Sequence, residues 1–440
     1  MEVICNLFTY FAHTNQLQFI MQNRRDFIRK TALGTMALAF ANNLDAAIPM
    51  PSTTLLENEE EKFWKLIRNQ FPLSKEKIYL NNGTMGPSPY PVINAVHEAM
   101  RDNDVNGNYG GWEKTADKIA AFVGATGDEI ALTHNVTDGI NIVAWGVPLK
   151  KGDEVILTTH EHVGNATPWL NRAKLHGIII KAFTPAKTAA ETLQRINDVI
   201  TKKTKVIAVP HIPCTIGQIL PAKEICKLAK DKGIYSFIDG AHGPGMLKLD
   251  LHDMGCDFYA TCTHKWLLGP KGTGFLYVRK DMLDTLQTLF VGGGSDTGWD
   301  MTKLPPTYSN YVTTAHRYYY GTQNVALYRG VDAAIDFMNA IGMDRVEKRC
   351  RGMATEMQNK LLAMGDKIDM LTPTEAASRG AVVGFRIKGI LYTDFYNIAA
   401  KNNIRIRSVA ENGLNSLRVS THIYNNMDEV DKLMELVKNA

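Results

Sequence analysis

From Glu76 onward the sequence switches repeatedly between two periods. Short β-branched or apolar runs (KIYLNNG, EIALTHN, DEVILTTHEH, GIIIKAF, KVIAVPHI, IYSFIDG, DFYATCTHK, TGFLYV) alternate with stretches of helical spacing such as Val136 to Gly146 and Ala222 to Lys232. Alternation of this kind predicts an α/β domain with a largely parallel sheet and helices between the strands. Glycines and polar residues cluster just after the strands, which is where open α/β sheets bind ligands. A chain of 440 residues with 45% apolar content has enough material for a sizeable core and a second domain.

After about Gly330 the texture changes. Helical patterns at Val331 to Ile341 and Arg345 to Met364 precede AVVGFRIKG, a helix from Thr393 to Lys401, NIRIRSV, SLRVST and a terminal helix from Met427. These predict a smaller α+β domain, so the expected organisation is a large domain over 77–330 and a small one built from 48–76 and 331–440. VGGGSDTGWD and Pro305-Pro306 mark a long loop between them.

Ahead of both, residues 1–41 read as an extension and an export signal. Arg24-Arg25 stand before Phe27, a weakly apolar run covers Thr31 to Phe40, and Ala39-Phe40-Ala41 gives an A-x-A cleavage pattern. This resembles a twin-arginine signal, with Met21 as the more natural start, and places the protein in the periplasm or outside the cell. A basic surface helix is the alternative. The apolar run is too short for a stable membrane anchor. A net charge of +4 is too small and dispersed to suggest nucleic acid. Cys5, Cys214, Cys226, Cys256, Cys262 and Cys350 show no metal-like spacing and read as buried thiols.

In YATCTHKWLLGPKGTGFLYV, Lys265 lies on a short connection between two runs destined for burial, where an unpaired ammonium is costly. Three other features fall at strand ends. Asp239 closes a strand in YSFIDGAHGPG, His162 follows one in TTHEHVGNATPW, and Asn135-Val136-Thr137 open a helix whose free N–H groups suit an anion. A lysine able to form an imine, a buried carboxylate and an anion-binding helix start are the parts that pyridoxal 5'-phosphate needs.

These residues resemble the class V aminotransferase family of fold-type I pyridoxal phosphate enzymes, the match running from YLNNGTMGP to LRVSTHIYNNMDEVDKL. DGAHGPG followed by DFYATCTHKWLLGPKGTGFLYV is its specific part, and the subgroup most resembled is the isopenicillin N epimerase-like proteins. The resemblance implies a mostly parallel, seven-stranded-type sheet flanked by helices. It makes Lys265 the Schiff-base lysine, Asp239 the partner of the pyridine nitrogen and His162 the ring-stacking residue. Val136, Thr137 and His264 become phosphate contacts, with Cys262 or Thr263 beside them. Thr322, in YGTQN, corresponds to a phosphate contact lent by a neighbouring subunit, which implies a homodimer. Arg418, in SLRVS, corresponds to the arginine that grips a substrate α-carboxylate, a task suited to a bidentate guanidinium.

Two departures stand out. Desulfurases carry a cysteine on the loop before the R-x-S strand, and RIRSVAENGLNSLR has none. Many relatives place an asparagine at the cofactor's phenolic oxygen, where HIPCTIGQ offers Cys214 or Thr215. The expectation is therefore an epimerase or aminotransferase acting on an amino acid. The alternatives are a desulfurase-type lyase whose cysteine (Cys350 or Cys262) comes from elsewhere, and a non-catalytic binding protein on the same fold. His160-Glu161-His162 lacks a third ligand and predicts no metal, and GPKGTG is not a nucleotide loop. Trp112, Trp299 and Tyr109 read as either pocket or core.

Overall fold

The computed structural model describes residues 57–108 and 110–440. The twin-arginine segment, Cys5 and Tyr109 lie outside the described residues. By its contacts the chain divides into Met1–Lys62 and Phe63–Ala440, and the sheets and site belong to the second unit. Among the described residues no helix is long and apolar enough to cross a membrane.

The strands are β1 Ile78–Tyr79, β2 Ile130–Thr133, β3 Glu154–Thr158, β4 Ile179–Phe183, β5 Thr204–Pro210, β6 Tyr235–Asp239, β7 Phe258–Cys262, β8 Gly274–Val278, β9 Trp299–Asp300, β10 Thr307–Tyr308, β11 Ile368–Met370, β12 Val382–Ile387, β13 Ile404–Arg405, β14 Arg407–Val409 and β15 Ser416–Ser420. Three helices bear on the site and its surroundings: α1 Val136–Gly146, α2 Val163–His176 and α3 Met343–Leu362.

The main sheet runs β2-β8-β7-β6-β5-β3-β4. β4, β3, β5, β6 and β7 pair in parallel, whereas β8 is antiparallel to both β7 and β2. The exception has a simple cause: loop 263–273 is too short for the crossover that a parallel neighbour requires. Every residue of β3, β7 and β8 is buried, as expected where both faces of a sheet are covered. Successive residues serve opposite faces, with Phe237, Phe258, Ala260 and Leu276 in one core cluster and Ile238, Tyr259, Phe275 and Tyr277 in another.

A four-stranded antiparallel sheet, β11-β12-β15-β14, packs its own core with α3 and the C-terminal helix Met427–Asn439. NIRIRSV, which reads as one strand, is divided. Ile404–Arg405 pairs with β1, while Arg407–Val409 pairs with β15. Asn81 also bridges to Ser420. The N-terminal YLNNG segment is thereby laid against SLRVS, which sets up one wall of the site. Of the aromatics left open, Trp112 stacks on His316 with ring centroids 3.6 Å apart, and Trp299 is 68% exposed.

Candidate active site

The parallel strands β3, β5, β6 and β7 end on one edge of the sheet, and the residues after them converge there. Lys265, half-buried, sits on loop 263–273. Gly86 donates its N–H to the carbonyl of His264 at 2.8 Å, and a Cβ on Gly86 would fall 2.1 Å from the Lys265 carbonyl. The NNGTMGP turn can approach the lysine only because that position has no side chain.

Asp239, at the end of β6, is 4% exposed. Its Oδ1 accepts the Ala241 N–H at 2.9 Å, and among the described residues no basic side chain forms an ion pair with it. Burial pushes this carboxyl above the usual range, against the Ala241 hydrogen bond and the charge of Lys265. His162 caps α2, its Nδ1 accepting the Gly164 N–H at 3.0 Å. Burial, then the Lys265 charge, push His162 down to about 4, so the ring is neutral.

α1 begins beside it. Asn135 caps the helix by accepting the Asp138 N–H at 3.0 Å, and Val136 and Thr137 supply first-turn N–H groups without intrahelical partners. A Cβ on Gly164 would lie 2.7 Å from Thr137 Oγ1, so the two helix starts touch. His264 has a buried Nδ1 with no hydrogen-bond partner. Its imidazole is pushed down to about 4, chiefly by burial.

Other expected contacts are engaged elsewhere. The Thr263 hydroxyl is tied to Thr273 Oγ1 and lies 3.5 Å from the Pro270 carbonyl, so it braces its own turn. Cys262 Sγ lies 3.9 Å from the Ala241 carbonyl. Thr215 Oγ1 is 3.0 Å from His160 Nδ1, which commits that hydroxyl. Glu161 accepts from Thr158 and Asn165, so each member of His160-Glu161-His162 is bonded outside the triplet. Thr322 is exposed.

Arg418, at the centre of β15, is 1% exposed. Nη1 donates to the Cys214 carbonyl at 3.0 Å, and Nη2 donates to Asn81 Oδ1 at 3.1 Å and Thr84 Oγ1 at 2.5 Å. Nε is buried without a partner. All three acceptors are neutral, and burial pushes the guanidinium down to about 10. Both hydrogens of Nη2 are in use, while Nε has no partner. Arg407, directly across the ladder from Arg418, pairs with Glu411 and lies 3.9 Å from Cys214 Sγ. Beyond burial, His162 and His242 both feel the charges of Lys265, Arg407 and Arg418.

Neither cysteine considered as a remote sulfur acceptor is a reactive thiol. Cys350 lies in the core on α3, pushed up to about 12 by burial, and Cys262 is pushed up to about 11 by burial. Sequence reasoning missed His242, Asn81, Thr84 and Arg407. His242 stands three residues after Asp239 in DGAHGPG, and its Nε2 lies 3.4 Å from Lys265 Nζ.

A buried carboxylate without an ion-pair partner among the described residues, a buried histidine nitrogen without a hydrogen-bond partner, two adjoining helix starts and a half-buried lysine are the parts that pyridoxal phosphate needs. The fold and the site define a pyridoxal-phosphate-dependent enzyme of fold type I. The aminotransferase class-V family model matches residues 89–433, and the chain belongs to that family. A probable cysteine desulfurase of Methanothermobacter thermautotrophicus is 32% identical over 66% of this chain and 74% of its own. The isopenicillin N epimerase of Amycolatopsis lactamdurans is 28% identical over 85% of this chain and 98% of its own. The apo structure of a cysteine desulfurase from Thermococcus onnurineus superposes with a TM-score of 0.76 at 25% identity, covering 89% of this chain and 100% of the other.

Proposed function

We propose that this enzyme takes a free α-amino acid, removes its α-proton with Lys265 and expels a β-substituent, as a C–S lyase does. The observation that carries the reading is Arg418, a fully buried cation with no carboxylate partner and an unused Nε, whose charge acts with that of Lys265 on His162 and His242. A substrate α-carboxylate supplies the missing anion. When bound, pyridoxal phosphate supplies an aldehyde that attaches to an amine and a ring that withdraws electrons from the α-carbon.

The chain does the rest. Lys265 Nζ would hold the cofactor and would move the substrate's α-proton. Asp239 would keep a proton on the pyridine nitrogen. His162 would lie against the ring, and Val136, Thr137 and His264 would hold the phosphate. Support for elimination over epimerisation comes from His162, whose lone-pair nitrogen already accepts the Gly164 N–H and is not free to handle a proton on a second face. The relatives named as probable cysteine desulfurases point the same way. Loop 410–415 carries no cysteine, so sulfide leaves without a protein persulfide on that loop. Epimerisation is the second reading, supported by the likeness to an isopenicillin N epimerase.

The same reading makes the protein a homodimer, with Thr322 reaching the partner's phosphate. Next to it Tyr320 and Phe290 stack at 5.7 Å, both exposed, as the core of an interface would be in an isolated subunit. Export belongs to the same proposal, supported by the likeness of the Arg24-Arg25 segment to a twin-arginine signal.

The experiment is to load the protein with pyridoxal phosphate and supply L-cysteine and L-cystine. Sulfide or persulfide sulfur should appear with pyruvate, and Lys265→Ala should abolish both. Formation of a D-amino acid from an L-amino acid panel without pyruvate would favour the epimerase reading. No Lys265-dependent absorbance band would sink the whole assignment.

A further inference from the structure

His242 Nε2 is 3.4 Å from Lys265 Nζ, and the other side of the imidazole is occupied. Trp266 Nε1–H donates to His242 Nδ1 at 3.0 Å. An indole nitrogen can only donate, so Nδ1 must be the accepting nitrogen. His242 is 2% exposed and burial keeps it neutral, which leaves its single ring proton on Nε2, facing the lysine.

Trp266 is itself fixed. His422 stacks on it with centroids 5.5 Å apart. His422 Nδ1 accepts the Ile423 N–H at 2.8 Å, so its Nε2–H donates to the Trp266 carbonyl at 2.9 Å. A ring N–H at this distance offers a donor to a lone pair on the lysine nitrogen and no acceptor for a lysine N–H. The opposite tautomer would do the reverse.

We propose that Trp266 is a positioning residue: its indole N–H locks His242 as the Nε2–H tautomer, so that the ring presents a donor and not a lone pair to Lys265 Nζ, the atom that takes the aldehyde. The inference rests on the assignment of Lys265 as the residue that holds the cofactor. It also assigns His422 a purpose, holding the tryptophan from the C-terminal segment so that the lock does not slip.

The test uses Trp266→Phe, His242→Leu and the double variant. Two-bond 1H–15N NMR of histidine-labelled protein, recorded before cofactor is added, should show the ring assigned by its loss in H242L as the Nε2–H form, shifting toward Nδ1–H in W266F. Pyridoxal phosphate uptake followed by absorbance should slow about three- to tenfold in W266F, the worth of one hydrogen bond. In the H242L background W266F should slow it no further. An unchanged tautomer in W266F, or equal slowing with and without the imidazole, would overturn the proposal. Should W266F not fold, the wild-type spectrum decides, and an Nδ1–H ring at His242 overturns it. If borohydride fails to fix the cofactor on Lys265, the reading of the lysine falls while the tautomer measurement still stands, so the two failures are distinguishable.

Discussion

Replacing Asp239 with Asn should make the cofactor-free protein more stable and the loaded enzyme far slower. The carboxyl is 4% exposed, its one internal hydrogen bond comes from the Ala241 N–H, and among the described residues no cation pairs with it. An Asn Oδ1 keeps that hydrogen bond, and the substitution removes a buried charge that is uncompensated before the cofactor binds. The sign follows from linkage. A carboxyl pushed upward by folding binds its proton more tightly in the fold than in the unfolded chain. Its contribution therefore turns unfavourable as pH rises above the unfolded value.

Relief of about 1–3 kcal/mol is expected near pH 7, the usual range for an unsatisfied buried polar group. In a unit running from Phe63 to Ala440, 1 kcal/mol is worth about 1 °C in Tm, so the cofactor-free D239N protein should melt about 1–3 °C higher in calorimetry. With cofactor bound, the same change deletes a charge-assisted hydrogen bond of about 1.5–3 kcal/mol at the pyridine nitrogen, or about ten- to a hundred-fold in kcat/KM. A cofactor-free Tm lowered by several degrees would show that Asp239 has a structural partner, and unchanged kcat/KM would show that it faces no pyridine nitrogen. Either result refutes the reasoning.

Buried His211, His242 and His422 are held neutral, so the unfolded chain binds more protons than the fold from about pH 6.5 downward. Cofactor-free stability measured by urea titration should fall on acidification from pH 6.5 to 5, by up to about 1.4 kcal/mol per pH unit for each ring. Cys350→Ala should leave sulfide release unchanged while lowering stability by about 1–2 kcal/mol through a small cavity, since its thiol lies in the core on α3. Thr84→Val removes a hydroxyl that occupies one Nη2 hydrogen of Arg418, so substrate KM should fall about threefold with kcat unchanged.

The alternating periods were enough to announce the main sheet, because strands buried on both faces leave continuous apolar runs such as FYATC and FLYV. They did not announce the reversal of β8, which is decided by loop length, nor the division of NIRIRSV between two sheets, since a two-residue strand has no period. Within the site, residues placed by local rules were legible: a strand end at Asp239, a helix cap at His162 and a helix start at Val136-Thr137. The partners of Thr263 and Thr215 were not legible for a shared reason, in that a buried hydroxyl bonds to whatever acceptor tertiary packing brings nearest, here Thr273 and His160.

What stayed hidden has one physical character. Asn81 and Thr84 lie more than three hundred residues before Arg418, and Trp266 meets His422 across a separation of 156 residues. Both contacts exist because the YLNNG segment and the region around β15 are brought to the edge where the parallel strands end. Sequence spacing carries information about such meetings only through the elements that enforce them. The residues around Lys265 could be read as a lysine flanked by a histidine, a tryptophan and glycines, but not as a hydrogen-bond series with a direction. That direction comes from two groups that can only donate, the indole of Trp266 and the backbone N–H of Ile423, and it leaves His242 and His422 a single neutral form each. A fold that fixes the His242 tautomer beside the lysine, and that of His422 behind Trp266, limits what these rings can do with a proton, so the proton chemistry of the site is concentrated on Lys265 itself.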